Sequence, residues 1–241
     1  MIDLHCHLLP GIDDGPEDLA SALQLARHAV SAGIRTSVVT PHMHAGRYNN
    51  SASNIRAAAA EFQRTLDAEG IALQIRCAAE VRLDHEILFW VGEEQIPWLG
   101  QWQGERVMLL EFPHSHVPVG ADKLVAWLIK QGIRPMIAHP ERNKDVMRSV
   151  DKLVPFVRMG CLLQVTAGAV AGAFGEGARA RAVDLLGKGW VTVLASDAHN
   201  LEARPPELEP GRIAAAAIVG EDESWNLVRH RPARIAGLET N

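Results

Sequence analysis

The sequence predicts an α/β fold in which seven parallel strands, joined by helices, close into a barrel. Three observations predict it. Short apolar runs alternate with longer amphipathic stretches along most of the chain, the pattern of strands linked by helical crossovers. Seven such units in about 200 residues suit a barrel better than an open sheet. Histidines and carboxylates recur where the apolar runs stop, and parallel barrels gather their functional groups there.

The elements follow in order. "IDLHC" (2–6) reads as the first strand. "DLASALQLARHAVSAG" (18–33) has apolar residues at helical spacing and ends in Gly33, a helix stop. "TSVVT" (36–40) is β-branched and halts at Pro41, and "SNIRAAAAEFQRTLDAEG" (53–70) is helical and again ends in glycine. "LQIRCAAE" (73–80), "RVMLLEF" (106–112), "RPMIAH" (134–139), "CLLQVT" (161–166) and "WVTVLAS" (190–196) complete the strands. Helical stretches at 121–131, 150–159 and 176–188 lie between the later ones. A Pro-rich loop (203–212) precedes two closing helices, at 211–220 and 222–237. Neither a linker nor a low-complexity segment divides the chain, so residues 1–241 read as one domain.

Composition narrows the function classes. Apolar residues make up 47% and charged residues 22%, and the formal net charge is -5. That excludes a basic nucleic-acid surface. No run of about 18 apolar residues predicts a membrane span, and the first residues lack a basic leader with a long apolar run, so a cytoplasmic location is expected. The three cysteines are far apart and odd in number, which argues against a disulfide framework.

The strand ends hold the chemistry. The first strand ends in His5 and His7, the second in Pro41 and His42 with His44 beyond, the third in Glu80 and the fourth in Glu111. The fifth ends in His139, the sixth in Gln164 and Thr166, and the seventh in Asp197 and His199. Charged groups at the edge of an apolar core are costly unless paired or metal-bound. Imidazole and carboxylate together suit manganese, zinc or iron, and so many ligands require two or three ions. His5 and His7 are two apart and share a strand face, which turns Cys6 the other way. Arg47, Arg142 and Arg204 each follow a strand-end ligand. Guanidinium matches phosphate bidentately, so they suggest an anionic ligand.

With these residues assembled, the chain resembles the polymerase and histidinol phosphatase (PHP) superfamily of metal-dependent phosphoesterases, through "HCH", a histidine after the second strand, "AHPER" and "SDAH". Within it, "DLHCHLLPGIDDGP", "TPHMHAGRY", "EFPHSHVP", "AHPERN" and "SDAHNLEARPP" look like the bacterial manganese-dependent protein-tyrosine phosphatases of capsular and exopolysaccharide loci. The resemblance implies a distorted seven-stranded barrel with a trinuclear site. It implies one ion on His5, His7, Glu80 and Asp197, a second on Glu80, Glu111 and His139, and a third on Asp14, His42 and His199. The ions would be Mn2+, with iron or zinc as alternatives. Many superfamily members have Asp-His where this chain has Pro41-His42, and Asp14 would supply the missing carboxylate. Whether Asp13 assists it or only shapes the loop is left open.

The implied reaction is in-line attack on phosphorus by metal-activated hydroxide, with Arg142 and Arg204 binding the other phosphoryl oxygens. His44, a metal or water could assist the leaving phenol, and Arg47 and His44 would contact substrate. The implied partner is a phosphotyrosine protein, a membrane-associated tyrosine autokinase. A small phosphomonoester such as histidinol phosphate is the alternative substrate, and a non-catalytic metal-binding scaffold is the other reading. A cysteine-dependent phosphatase is excluded, because arginine six positions after the cysteine is replaced by Ile12, Leu83 and Ala167.

Overall fold

The computed structural model describes residues 1–239. Its strands are β1 (Ile2–Cys6), β2 (Thr36–Val39), β3 (His42–Met43), β4 (Gln74–Cys77), β5 (Glu80–Arg82), β6 (Gly100–Trp102), β7 (Glu105–Glu111), β8 (Ile133–Ala138), β9 (Leu162–Thr166) and β10 (Val193–Ala195). They form two sheets, β1-β2-β4 and β10-β9-β8-β7-β5-β3, and every pair on these paths is parallel. Only β6 runs antiparallel, against β7. A lone parallel bridge between Cys6 and Ala198 ties the end of β1 to the segment after β10.

The helices are α1 (Leu19–Ser31), α2 (Ala52–Ala68), α3 (Glu86–Gly92), α4 (Ala121–Lys130), α5 (Lys144–Arg148), α6 (Val154–Arg158), α7 (Ala167–Ala171), α8 (Glu176–Gly187), α9 (Glu209–Val219), α10 (Glu221–Trp225) and α11 (Arg231–Ala236). Their starts are legible in local chemistry. The Asp18 carboxylate accepts from the Ser21 amide at 2.8 Å, and Ser51 with Asn54 forms a reciprocal cap on α2. No helix among the described residues is long and apolar enough to cross a membrane.

The structure corrects one predicted strand and divides a predicted helix. The expected strand 73–80 is two strands, broken at Ala78–Ala79, so Glu80 opens β5 instead of ending a strand. The apolar run is continuous in sequence, but β4 pairs with β2 in one sheet while β5 pairs with β3 and β7 in the other. The same transfer happens between β2 and β3 at Thr40–Pro41, where proline has no amide to donate to a ladder. The expected helix 150–159 is a 3-10 turn (Val150–Leu153) followed by α6, with Pro155 in the first turn.

Two apolar clusters hold these layers. One is built from inward strand residues, including Leu4, Val38, Val107, Leu109, Met136 and Val193, with Ile235 of α11 packed against them. The other lies between strands and helices and contains Cys6, Leu25, Ile55, Phe62, Val125 and Leu185. Leu4 and Cys6 therefore belong to different clusters although both are even-numbered. A register shift in β1 between Asp3 and Cys6 explains it, because an extra residue there reverses the alternation.

Gly100 marks the tightest approach between β6 and α11. Its φ is +147°, and a Cβ there would lie 1.8 Å from the Ile235 carbonyl oxygen. Gly100→Ala should destabilise the protein by about 1–3 kcal/mol or more, seen as a lower urea midpoint with an unchanged slope. A midpoint equal to wild type would refute the contact.

Candidate metal centre

The β1 irregularity leaves His5 and His7 together on the inner side, with Cys6 turned into the helix layer. The Cys6 thiol donates to the Val38 carbonyl at 3.6 Å, and burial pushes its pKa well up. His5 Nε2 and His7 Nε2 lie 3.2 Å apart. Glu80 Oε2 is 3.2 Å from the first and 3.4 Å from the second, and Asp197 Oδ1 is 3.2 and 3.5 Å from them. Ligand atoms held about 2.0–2.2 Å from a four-coordinate ion sit about 3.3–3.6 Å from one another. These four side chains have that spacing.

The outer ring nitrogens are anchored as those of metal-ligating histidines are. His5 Nδ1 faces Gln164 Oε1 at 2.8 Å, an oxygen that also accepts from the His139 amide at 3.3 Å. His7 Nδ1 faces Asp13 Oδ2 at 2.6 Å, and His199 Nδ1 faces the Asp197 carbonyl at 2.8 Å. Each Nδ1 therefore donates its hydrogen outward, and in the neutral ring each Nε2 turns a lone pair inward. Glu80 Oε2 and His199 Nε2 are buried without any hydrogen-bond partner. Lone pairs converging on carboxylate oxygens need a cation among them, so the donor set fits divalent metal.

Two further groups adjoin the first. His42, Glu80 and Glu111 form one, with His42 Nδ1 3.0 Å from Glu80 Oε2 and 4.0 Å from Glu111 Oε2. His7, Asp14, His42 and His199 form the other, with Asp14 Oδ1 3.3 Å from His42 Nε2 and 3.2 Å from His199 Nε2. His139 is placed differently from the rest. It reaches Glu80 Oε1 at 2.7 Å but belongs to none of these groups. His139 and Asp197 are two of only four non-glycine residues with positive φ among the described residues, at +31° and +52°. Such backbone persists only where its surroundings over-determine it. Around Asp197 they do, since Asp3 accepts from the Ser196 hydroxyl and, at 3.0 Å, from its amide.

Electrostatics follow from this crowding. Burial would raise the Glu80 carboxyl, but His5, His42 and His139 hold it well below the usual range. Burial likewise opposes ionisation of Asp197, and Arg142 and His5 outweigh it. Glu111 is raised, first by burial and then by the charge of Glu80. Burial and then Arg142 push His139 down to about 3, whereas Glu80 and Asp14 overcome burial and lift His42 to about 10.

Asp13, beside the Asp14 of the third group, sits behind it. Besides His7, it accepts from the amides of His42 at 3.1 Å and Gly15 at 3.0 Å. Asp13→Ala should weaken metal binding about 10–100-fold, measured by titrating metal into the metal-free protein. An unchanged affinity would reject this orienting role.

The groups open into a cavity of about 430 Å³ that His44, Arg47, Tyr48, Arg82, His114, Arg142, Lys144 and Arg204 also line. Arg142 donates to Asp197 Oδ2 and lies 4.9 Å over the Phe174 ring. Arg204 is 3.7 Å from the same oxygen and 3.9 Å from Asp14 Oδ2. Arg47 stands apart from these two, its guanidinium 5.1 Å over Tyr48. His44 contributes its backbone to the turn at Tyr48 and reaches no metal-competent group. Sequence reasoning missed Tyr48, which stacks on His42, and Arg82, 3.0 Å from Glu111 Oε2. The His114 ring, in the "HSH" run, stacks on His139. His28 and His85 lie outside the site, each facing a surface carboxylate.

Comparison with known proteins agrees with this chemistry. The family described as "Capsular polysaccharide synthesis, CpsB/CapC" matches residues 1–236. The tyrosine-protein phosphatase YwqE of Bacillus subtilis is 38% identical over 204 residues, covering 85% of this chain and 79% of the relative. The tyrosine-protein phosphatase CpsB of Streptococcus pneumoniae is 27% identical, with 98% of each chain covered. A crystal structure from work on YwqE and CpsB, described as unique metal-dependent tyrosine phosphatases, superposes with a TM-score of 0.90 at 33% identity. It covers 100% of this chain and 96% of the other.

Proposed function

The chain belongs to the CpsB/CapC family of capsular polysaccharide synthesis, and from that premise we propose that its converging histidines and carboxylates hold two to three divalent ions for hydrolysis of a protein phosphotyrosine. It is a metal-dependent tyrosine-protein phosphatase. The observation behind the ligand assignment is the outward anchoring of three Nδ1 atoms, which turns their Nε2 lone pairs onto shared carboxylates. His5, His7, Glu80 and Asp197 hold one ion. Glu80 and Glu111 hold a second, with His139 and His42 facing it. Asp14, His42 and His199 hold a third, with His7 alongside.

Bound divalent ions supply Lewis acidity, which makes water nucleophilic near neutral pH and offsets phosphoryl charge. The protein's own groups orient the substrate. Arg142 and Arg204 grip the non-reacting phosphoryl oxygens, and the Phe174 ring and Asp197 hold the Arg142 fork in place. A phenol with a pKa near 10 is a fair leaving group, so a strong acid is not required of the neutral imidazoles His44 and His114, both of which burial lowers.

The fold reading is a distorted seven-membered barrel. In it β2–β3 and β4–β5 each count as one interrupted strand, and the Cys6–Ala198 bridge joins the first strand to the last. Manganese is the proposed native metal. The proposed target is a membrane-associated tyrosine autokinase of the same polysaccharide machinery, met from the cytoplasmic side.

A phosphotyrosine peptide should be turned over and histidinol phosphate should not, with activity lost on chelation and regained on adding Mn2+. Faster turnover of histidinol phosphate would overturn the substrate assignment. Cys6→Ser should keep most of the activity, and a complete loss with the fold intact would return the thiol to the mechanism.

A further inference from the structure

The charges lining the catalytic cavity divide unevenly. Every carboxylate there, Asp14, Glu80, Glu111 and Asp197, belongs to a metal-competent group. Apart from the histidines, every other charged side chain lining it is a lysine or arginine. Three of these cations face the metal groups, since Arg142 and Arg204 approach Asp197 and Arg82 approaches Glu111. Arg47 and Lys144 have no carboxylate partner among the described residues. One phosphoryl group is already served by the metal groups, Arg142 and Arg204, so two cations are left over.

Both are carried on fixed backbone. The turn bearing Arg47 is closed by the His44 amide on the Tyr48 carbonyl at 3.1 Å and the Tyr48 amide on the His44 carbonyl at 2.8 Å. Lys144 opens α5 two residues beyond Arg142, and its amide donates to the His114 carbonyl at 2.8 Å. On the other side of Asp14 and His199, a second cavity of about 370 Å³ is lined by Glu17, Asp18 and Glu202 and by no lysine or arginine. An anionic stretch of substrate is repelled from that side and attracted to the first.

We infer that Arg47 and Lys144 bind a second anionic side chain of the substrate, so that the enzyme selects phosphotyrosine flanked by acidic or phosphorylated residues. This rests on the phosphotyrosine reading and specifies its substrate class. Exposed charge pairs are each worth about a two- to fivefold effect, and like charges act in the opposite sense.

The test uses the full chain loaded with Mn2+ and four phosphotyrosine peptides that differ only in flanking residues, carrying Glu, phosphotyrosine, Ala or Lys. Wild type should favour the Glu and phosphotyrosine flanks over Lys by about tenfold in kcat/KM, mainly through KM, and added salt should narrow the ratio. Lys144→Gln should reduce the Glu-to-Lys ratio about two- to fivefold, and Lys144→Glu should bring it to unity or reverse it. A preference for the phosphotyrosine flank without the Glu flank would restrict the second anion to phosphate. Equal kcat/KM for all four peptides, or a ratio unmoved by Lys144→Glu, overturns the inference alone. Failure to hydrolyse any of the peptides overturns the phosphotyrosine reading and this inference with it.

Discussion

Glu80→Ala eliminates phosphotyrosine hydrolysis, with a loss of at least about a thousandfold, or roughly 4 kcal/mol of transition-state stabilisation. Among the described residues no other carboxylate belongs to two metal-competent groups. Glu80 Oε2 lies within 3.0–3.4 Å of His5, His7 and His42, and Oε1 is 2.7 Å from His139. Glu80 belongs to two of the three metal-competent groups that build the centre. Its removal should lower metal content by more than one ion per chain, which elemental analysis reads directly. Unfolding is not the expected cause. A buried carboxylate that His5, His42 and His139 hold ionised supports the metal-free fold, so the metal-free variant should melt below metal-free wild type, and the assay is run below that melting point. Wild-type turnover, or a full metal complement, would reject the assignment.

Arg142→Ala separates substrate binding from metal binding. The two oxygens of Asp197 divide their work, because Oδ1 faces His5 and His7 while Oδ2 faces Arg142. Loss of the guanidinium therefore spares the metal-facing oxygen. The expected result is a fall in kcat of about 10²–10³ at unchanged metal content. Arg142→Lys should recover little, since an ammonium has no bidentate fork and stacks less well on Phe174. A defect explained by lost metal would move Arg142 from substrate binding to support of the centre.

The fold was legible wherever periodicity carries it. Runs such as 106–112 and 134–139 found β7 and β8, and the two-residue spacing of His5 and His7 found their common face. What escaped was set by partners far away in sequence. The break at Ala78–Ala79 lies inside an uninterrupted apolar run, and only the choice of neighbouring sheet reveals it. β6 is three residues long and exists through its pairing with β7. In the site, ligand-type residues announce themselves by chemistry and position. Their orienting partners do not. Gln164 stood at a strand end without a task, and Asp13 looked like its neighbour Asp14. Only the folded loop puts one behind His7 and the other in front of His42. Arg47 follows a strand-end ligand as Arg142 and Arg204 do, and only those two approach the metal-competent groups.

The bridge between Cys6 and Ala198 has a consequence for how the chain matures. His5 and His7 come from the first strand, while Asp197 and His199 come from the segment after the last. No partly folded intermediate that lacks this closure has a complete ligand set. With the proposed ligands, full metal uptake would follow closure of the ring of strands. Ions held by the proposed ligands would clasp the two ends of the topology across a seam that the His7 amide on the Ala198 carbonyl and the Asp197 amide on the His5 carbonyl close at 2.8 Å each.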